Sequence, residues 1–153
     1  MLNLDKDFKE YFPKLDFTLS DMQKRVITNV VEKDSTLCIM PTGSGKSAVY
    51  WMSAAELKGI SIVISPLTAL IEEQVQKIES HGYETLKIHG GIDALKQISV
   101  LSDFANGKTN PKFIFASPEK IATDGYFEYC LKQRKDEINL IVIDEVHCVS
   151  QWG

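Results

Sequence analysis

The chain has 153 residues, 44% of them hydrophobic and 25% charged, the ordinary make-up of one globular domain with a proper core. Its formal net charge of -4 excludes a protein that holds nucleic acid by bulk positive charge, although a local basic patch would not show in the total. Three scattered cysteines, Cys38, Cys130 and Cys148, show no paired Cys or His spacing, which argues against a zinc site and for reduced thiols in a cytoplasmic setting. The N-terminus carries acids and has no apolar core of signal-peptide kind, and the longest apolar run, 59–64, is too short for a membrane span.

Leu4, Phe8 and Phe12 recur one turn apart, so a short amphipathic helix is expected over 1–16, ended by Pro13 and packed on the domain flank. The main domain is expected over 17–153. A second helix follows, with Val26, Ile27, Val30 and Val31 on one face. Ser20 and Gln23 have the spacing of a capping box. Gln23 also has a competing use, because its amide can read an adenine base by donating and accepting at once.

The apolar run 36–39 leads into Met40-Pro-Thr-Gly-Ser-Gly-Lys-Ser47 and then a helical segment. A strand, a glycine-rich turn and a helix N-terminus in this order form a phosphate-binding loop. Thr42, Gly43, Ser44 and Gly45 would wrap backbone N–H groups around the anion. Lys46 would reach the β- and γ-phosphates, and the Ser47 hydroxyl would ligate Mg²⁺. Methionine stands at position 40, where the strict pattern has glycine.

Strand and helix then alternate. Strands are expected at 60–64, 85–88, 112–116 and 139–143, with helices at 68–80, around 95–105, from Ser117, and over Phe127, Leu131 and Arg134. Continuously apolar strands separated by helices predict an α/β fold with a parallel sheet covered on both faces. Ligands of such sheets sit at the carboxyl ends of the strands, where 41–47, 65–68, 89–91, 117–120 and 144–147 all fall. The last strand ends in two acids. Asp144 is expected to hold Mg²⁺ through water, and Glu145 to orient and deprotonate the attacking water.

Pro41-Thr-Gly-Ser-Gly-Lys-Ser47 together with Asp144-Glu-Val-His-Cys-Val-Ser-Gln-Trp-Gly153 resembles the superfamily-two helicases, and within them the RecQ family. The resemblance runs from Phe17 to Gly153. It implies a first RecA-like P-loop NTPase domain, use of ATP and Mg²⁺, and 3′-to-5′ unwinding of DNA. By the same resemblance Gln23 reads adenine, Ser65, Pro66, Leu67 and Gln74 grip the DNA backbone, and Ser117 and Pro118 form a second backbone contact. His147 and Gln151 would couple ATP state to DNA, and Trp152 would stack on or near bases. The form Met-Pro-Thr-Gly-x-Gly-Lys-Ser is one that RecQ-like motors use, which accounts for Met40. Ser20 stands where RecQ members usually place an arginine, and the aromatic pair in Ala48-Val-Tyr-Trp-Met52 is shifted from their usual pattern.

A complete motor of this type also needs a coupling segment and a second RecA-like domain with arginine fingers. The chain is therefore expected to be part of a longer protein, inactive as an isolated piece. Three other readings remain: an RNA helicase or duplex translocase, a nucleotide-binding switch, and a non-catalytic nucleic-acid scaffold. Cys148-Val-Ser-Gln-Trp-Gly153 argues against the first, the lack of an Asn-Lys-x-Asp motif against a GTPase switch, and Lys46, Ser47, Asp144 and Glu145 together against the last.

Overall fold

The structure, a computed structural model, describes residues 2–32 and 46–143, with the backbone alone of Lys46. The expected strand at 36–39 lies outside the described residues. The chain divides into two compact units, Met1–Lys58 and Gly59–Gly153.

The first unit contains α1 (Leu4–Tyr11), α2 (Asp21–Glu32) and α3 (Lys46–Glu56). Asn3 caps α1 by accepting from the Lys6 N–H at 3.2 Å. Leu4, Phe8 and Phe12 are buried, as their spacing predicts. Phe8 packs on Phe17 at 5.4 Å between ring centroids, and Phe12 on Trp51 at 5.6 Å, so aromatic contacts fasten α1 to α3. The Lys24–Asp5 ion pair at 2.9 Å is solvated and adds little. Along α3, Ala48 to Met52 are all buried, and Ser53 hides its hydroxyl by donating to the Val49 carbonyl at 2.8 Å.

Glu56 closes α3 against α1. Burial, with Asp7 hydrogen-bonded beside it, pushes its carboxyl from 4.5 up to about 7. The folded state thus holds a proton that the unfolded chain releases. The resulting stability is complete below the unfolded value of 4.5 and is lost as pH rises through about 7. The thermal midpoint of this unit is expected to fall between about pH 5 and about pH 8, and Glu56→Gln to flatten that slope. Equal slopes in the two proteins would count against it.

The second unit begins with β1 (Ile60–Ile64), α4 (Thr68–Ser80), β2 (Thr85–Ile88) and α5 (Ala94–Ala105). It continues with β3 (Phe113–Ala116), α6 (Pro118–Thr123), α7 (Gly125–Gln133), a 3-10 turn (Lys135–Glu137) and β4 (Ile138–Ile143). The four strands are all parallel, in the order β2-β3-β1-β4. These strands begin within one residue of the positions that the apolar runs predict. The chain enters β1 at Gly59, whose φ of +89° and contact with the Glu137 carbonyl oxygen leave no room for a Cβ.

Handedness decides which face each helix covers. Right-handed crossovers that run in opposite directions along a sheet put their helices on opposite faces. The step from β1 to β2 runs one way, and the steps from β2 to β3 and β3 to β4 run the other. So α5 and α7 share a face, where Ile60, Ile62, Ile88, Leu101, Phe104, Ile114 and Phe127 form one core. On the other face α4 buries Ile71, Val75 and Ile78. β1 and β3 are accordingly buried on both sides, whereas β4, at the edge of the described sheet, leaves Ile141 and Ile143 61% and 52% exposed.

Arg134 departs from the helical role that its spacing suggests. α7 ends at Gln133, and Arg134 is its C-cap residue, 8% exposed. Its guanidinium donates to the carbonyls of Phe104 (3.2 Å) and Thr109 (2.6 Å), to Asn110 Oδ1 (2.8 Å) and to both Glu137 oxygens (2.7 and 2.9 Å). It also lies 4.7 Å above the Phe104 ring. The long side chain has left the helix pattern to fasten the α5–β3 loop to the entry of β4. Among the described residues no helix is long and apolar enough to cross a membrane.

Candidate functional site

Parallel strands bring their carboxyl ends to one edge, and their register decides which residues meet there. Ile64, Ala116 and Ile88 are aligned across β1, β3 and β2. The next residues, Ser65, Ser117 and His89, therefore stand in a row. The Ser65 N–H donates to the Ala116 carbonyl at 3.0 Å, and the Ser117 N–H to the Ile88 carbonyl at 3.1 Å. All three residues are buried, at 2%, 8% and 3% exposure.

From this row two helices start. Ser117 caps α6 by accepting from the Lys120 N–H at 3.4 Å, with Pro118 in the first turn. Ser65 Oγ accepts from the Leu67 N–H at 3.4 Å, but Leu67, the N-cap of α4, supplies no side-chain cap. Leu67, Thr68 and Ala69 are exposed, and the first turn of α4 holds no acid. Uncapped N–H groups at the positive end of a helix suit an anionic phosphate. The structure thus brings Ser65, Pro66, Leu67, Ser117 and Pro118 to one edge, as the sequence predicts. Gln74 is different: at 6% exposure it belongs to the buried stripe of Ile71, Val75 and Ile78, because helical spacing turns it towards the sheet.

One cluster at this edge is not foreseen from the sequence, which marks 89–91 as a motif at a strand's carboxyl end or a plain tight turn and says nothing of its partners. Glu72 on α4 is bridged to Lys87 (Oε1 to Nζ, 2.6 Å) and to His89 (Oε2 to Nε2, 2.7 Å). His89 Nδ1 accepts from the Gly91 N–H at 3.1 Å. Lys87 first, then His89, hold the Glu72 carboxyl below its ordinary value. The partners are separated by 15 and 17 residues, so no local pattern announces them.

In the first unit the capping box is present. Ser20 Oγ accepts from the Gln23 N–H at 3.1 Å, and Gln23 Oε1 accepts from the Ser20 N–H at 2.7 Å. Of the two uses that compete for Gln23, the structure shows the capping one. α3 starts at Lys46, Ser47 is half-buried in its first turn, and that turn contains no acid. A helix N-terminus with a hydroxyl and no carboxylate fits a polyphosphate with its divalent cation. Thr42, Gly43, Ser44, Gly45, Asp144, Glu145, His147, Gln151 and Trp152 lie outside the described residues. Among the described residues no cluster of His, Cys, Asp and Glu could hold a metal ion.

Comparison with known proteins adds sequence likeness to this geometry. A profile of the family described as DEAD/DEAH box helicase matches residues 20–153. The RecQ-like DNA helicase blm-1 of Caenorhabditis elegans is 35% identical over 136 residues, covering 86% of this chain and 14% of that protein. The ATP-dependent DNA helicase RecQ of Haemophilus influenzae is 33% identical over 131 residues, covering 86% of this chain and 20% of that protein. The chain thus spans a fifth or less of the length of these two relatives. Among solved structures, a hypothetical ATP-dependent RNA helicase from Sulfolobus tokodaii superposes with a TM-score of 0.76. That match covers 97% of this chain and 44% of the other, at 19% identity, and speaks for the fold alone.

Proposed function

The chain belongs to the DEAD/DEAH box helicase family, and on that premise we propose that it is the ATP-binding half of a RecQ-like DNA helicase. The full-length protein would couple ATP hydrolysis to 3′-to-5′ unwinding, with a second RecA-like domain completing the motor. The observation that carries this reading is the row of Ser65, Ser117 and His89 beside the uncapped start of α4, in a chain whose relatives are named as DNA helicases. A strand's phosphates laid along that edge would meet backbone donors first, with no need for bulk positive charge.

The roles follow from the chemistry of each group. Thr42, Gly43, Ser44, Gly45 and Lys46 hold the β- and γ-phosphates, while Ser47 and Asp144 hold Mg²⁺. Bound there, Mg²⁺ supplies charge neutralisation at the γ-phosphate. Glu145 orients the attacking water and accepts its proton. Gln23 reads adenine, which requires exchanging its Ser20 bond for the base. His147 and Gln151 couple this chemistry to the DNA edge, and Trp152 stacks on bases.

ATPase activity of the full-length protein, measured with single-stranded DNA and with RNA, tests the reading. DNA is expected to stimulate turnover and RNA to do so weakly, with Lys46→Ala inactive in both. Stimulation by RNA alone would favour the RNA-helicase alternative. Stimulation by neither would leave a nucleotide-binding module.

A further inference from the structure

Glu72, His89 and Gly91 form a chain of hydrogen bonds that the nucleotide chemistry does not use. Because the Gly91 N–H donates to Nδ1, that nitrogen is an acceptor, and the imidazole proton sits on Nε2. Nε2–H therefore donates to Glu72 Oε2, across 2.7 Å. The ring is 3% exposed and has both nitrogens engaged. Gly91 is fitted to it, since a Cβ there would stand 3.1 to 3.2 Å from the ring atoms, whereas a Cβ on Gly90 would meet nothing. The other oxygen of Glu72 is held by Lys87, so the carboxylate has a fixed orientation.

This chain of contacts ties two solvent-facing pieces of the same edge. One is the first turn of α4, with Thr68 and Ala69 exposed and no side-chain cap. The other is the β2–α5 loop, with Gly90 and Gly91 exposed. A loop of two successive glycines has high conformational entropy unless something holds it. Ordering it only when a ligand arrives would weaken binding.

Resting on the helicase reading above, we infer that His89 is a positioning residue. Through Glu72 it sets the spacing between the start of α4 and the 89–91 loop, so that one single-stranded DNA backbone meets both without further ordering. The two ring nitrogens can be tested separately. Asparagine places its Oδ1 near Nδ1 and keeps the Gly91 bond but does not reach Glu72. Glutamine places its amide near Nε2 and keeps the Glu72 bond but gives up Gly91.

The test is DNA-stimulated ATPase of the full-length protein, which yields the half-saturating single-stranded DNA concentration and kcat at saturation. His89→Asn and Glu72→Ala are each expected to raise the half-saturating concentration about tenfold, the equivalent of one lost contact. In both, kcat should stay within about twofold, since uniform binding and not chemistry is affected. His89→Gln, which keeps the Glu72 bond but releases Gly91, should lie between the unaltered protein and His89→Asn, and the double variant of His89→Asn with Glu72→Ala should be no worse than either single one. Half-saturation unchanged in both single variants, or kcat falling as far as affinity falls, overturns the inference. Should His89→Asn fail to fold, Glu72→Ala carries the same test, its side chain being 44% exposed. If the unaltered protein shows no DNA stimulation, the helicase reading fails and this inference with it. If it is stimulated and the variants match it, only this inference fails.

Discussion

Glu145→Gln is expected to lower ATP turnover of the full-length protein by about 10²- to 10⁴-fold, the usual contribution of a positioned general base. Glutamine has nearly the same size and can still orient a water molecule, but it cannot take the proton. ATP binding should therefore survive, since Lys46 and the 42–45 loop hold the phosphates without it. Lys46→Ala should behave differently and weaken binding as well as turnover. Steady-state ATPase combined with a fluorescent-nucleotide titration separates the two variants. Turnover of Glu145→Gln at the unaltered rate would remove Glu145 from the role of base.

Arg134→Ala should destabilise the second unit by about 3 kcal/mol, the low end of what breaking a buried ion pair costs. The lower end applies because Glu137 is 52% exposed and rehydrates once its partner is gone. What remains is the cost of leaving the Thr109 carbonyl and Asn110 without their donor, together with the lost packing on Phe104, whose carbonyl keeps its bond from the Gly107 N–H. Arg134→Lys should recover only part of this, because an ammonium cannot reproduce a planar fork that donates in five directions. Amide hydrogen exchange in α5, α7 and β3 reads the effect directly. Protection unchanged in Arg134→Ala would show that the α5–β3 loop is held by other contacts.

The two variants probe features of different legibility. Glu145 is visible because its chemistry is local: two acids closing an apolar strand are a pattern within a few residues. The same is true of Lys46 and Ser47, and of the strands from Ile60 to Ile143, whose bounds follow from short apolar runs ended by polar residues: Ser65, His89, Ser117 and Asp144. Arg134 was grouped with Phe127 and Leu131 because helical spacing registers periodicity and not where a long polar side chain turns. Gln74, which the family resemblance makes a DNA contact, is buried at 6% exposure on the same helical face as Ile71, Val75 and Ile78. Gln23 carried two patterns at once, and the local one, the capping box, is what the structure shows.

By itself the sequence determined the strand–helix alternation, the parallel sheet and the family, because each rests on periodicity or on motifs a few residues long. It also determined that the motifs at 65–68, 89–91 and 117–120 share the carboxyl edge, since that follows from parallel strands alone. Tertiary structure decided the row of Ser65, Ser117 and His89, because strand order and register come from long-range pairing that local pattern does not encode. It decided too that Glu72 meets His89 and that Arg134 bridges three segments. Apart from Arg134–Glu137, these contacts join residues 17 to 30 positions apart, and only the packing of helices on the two faces of the sheet brings them within hydrogen-bond reach.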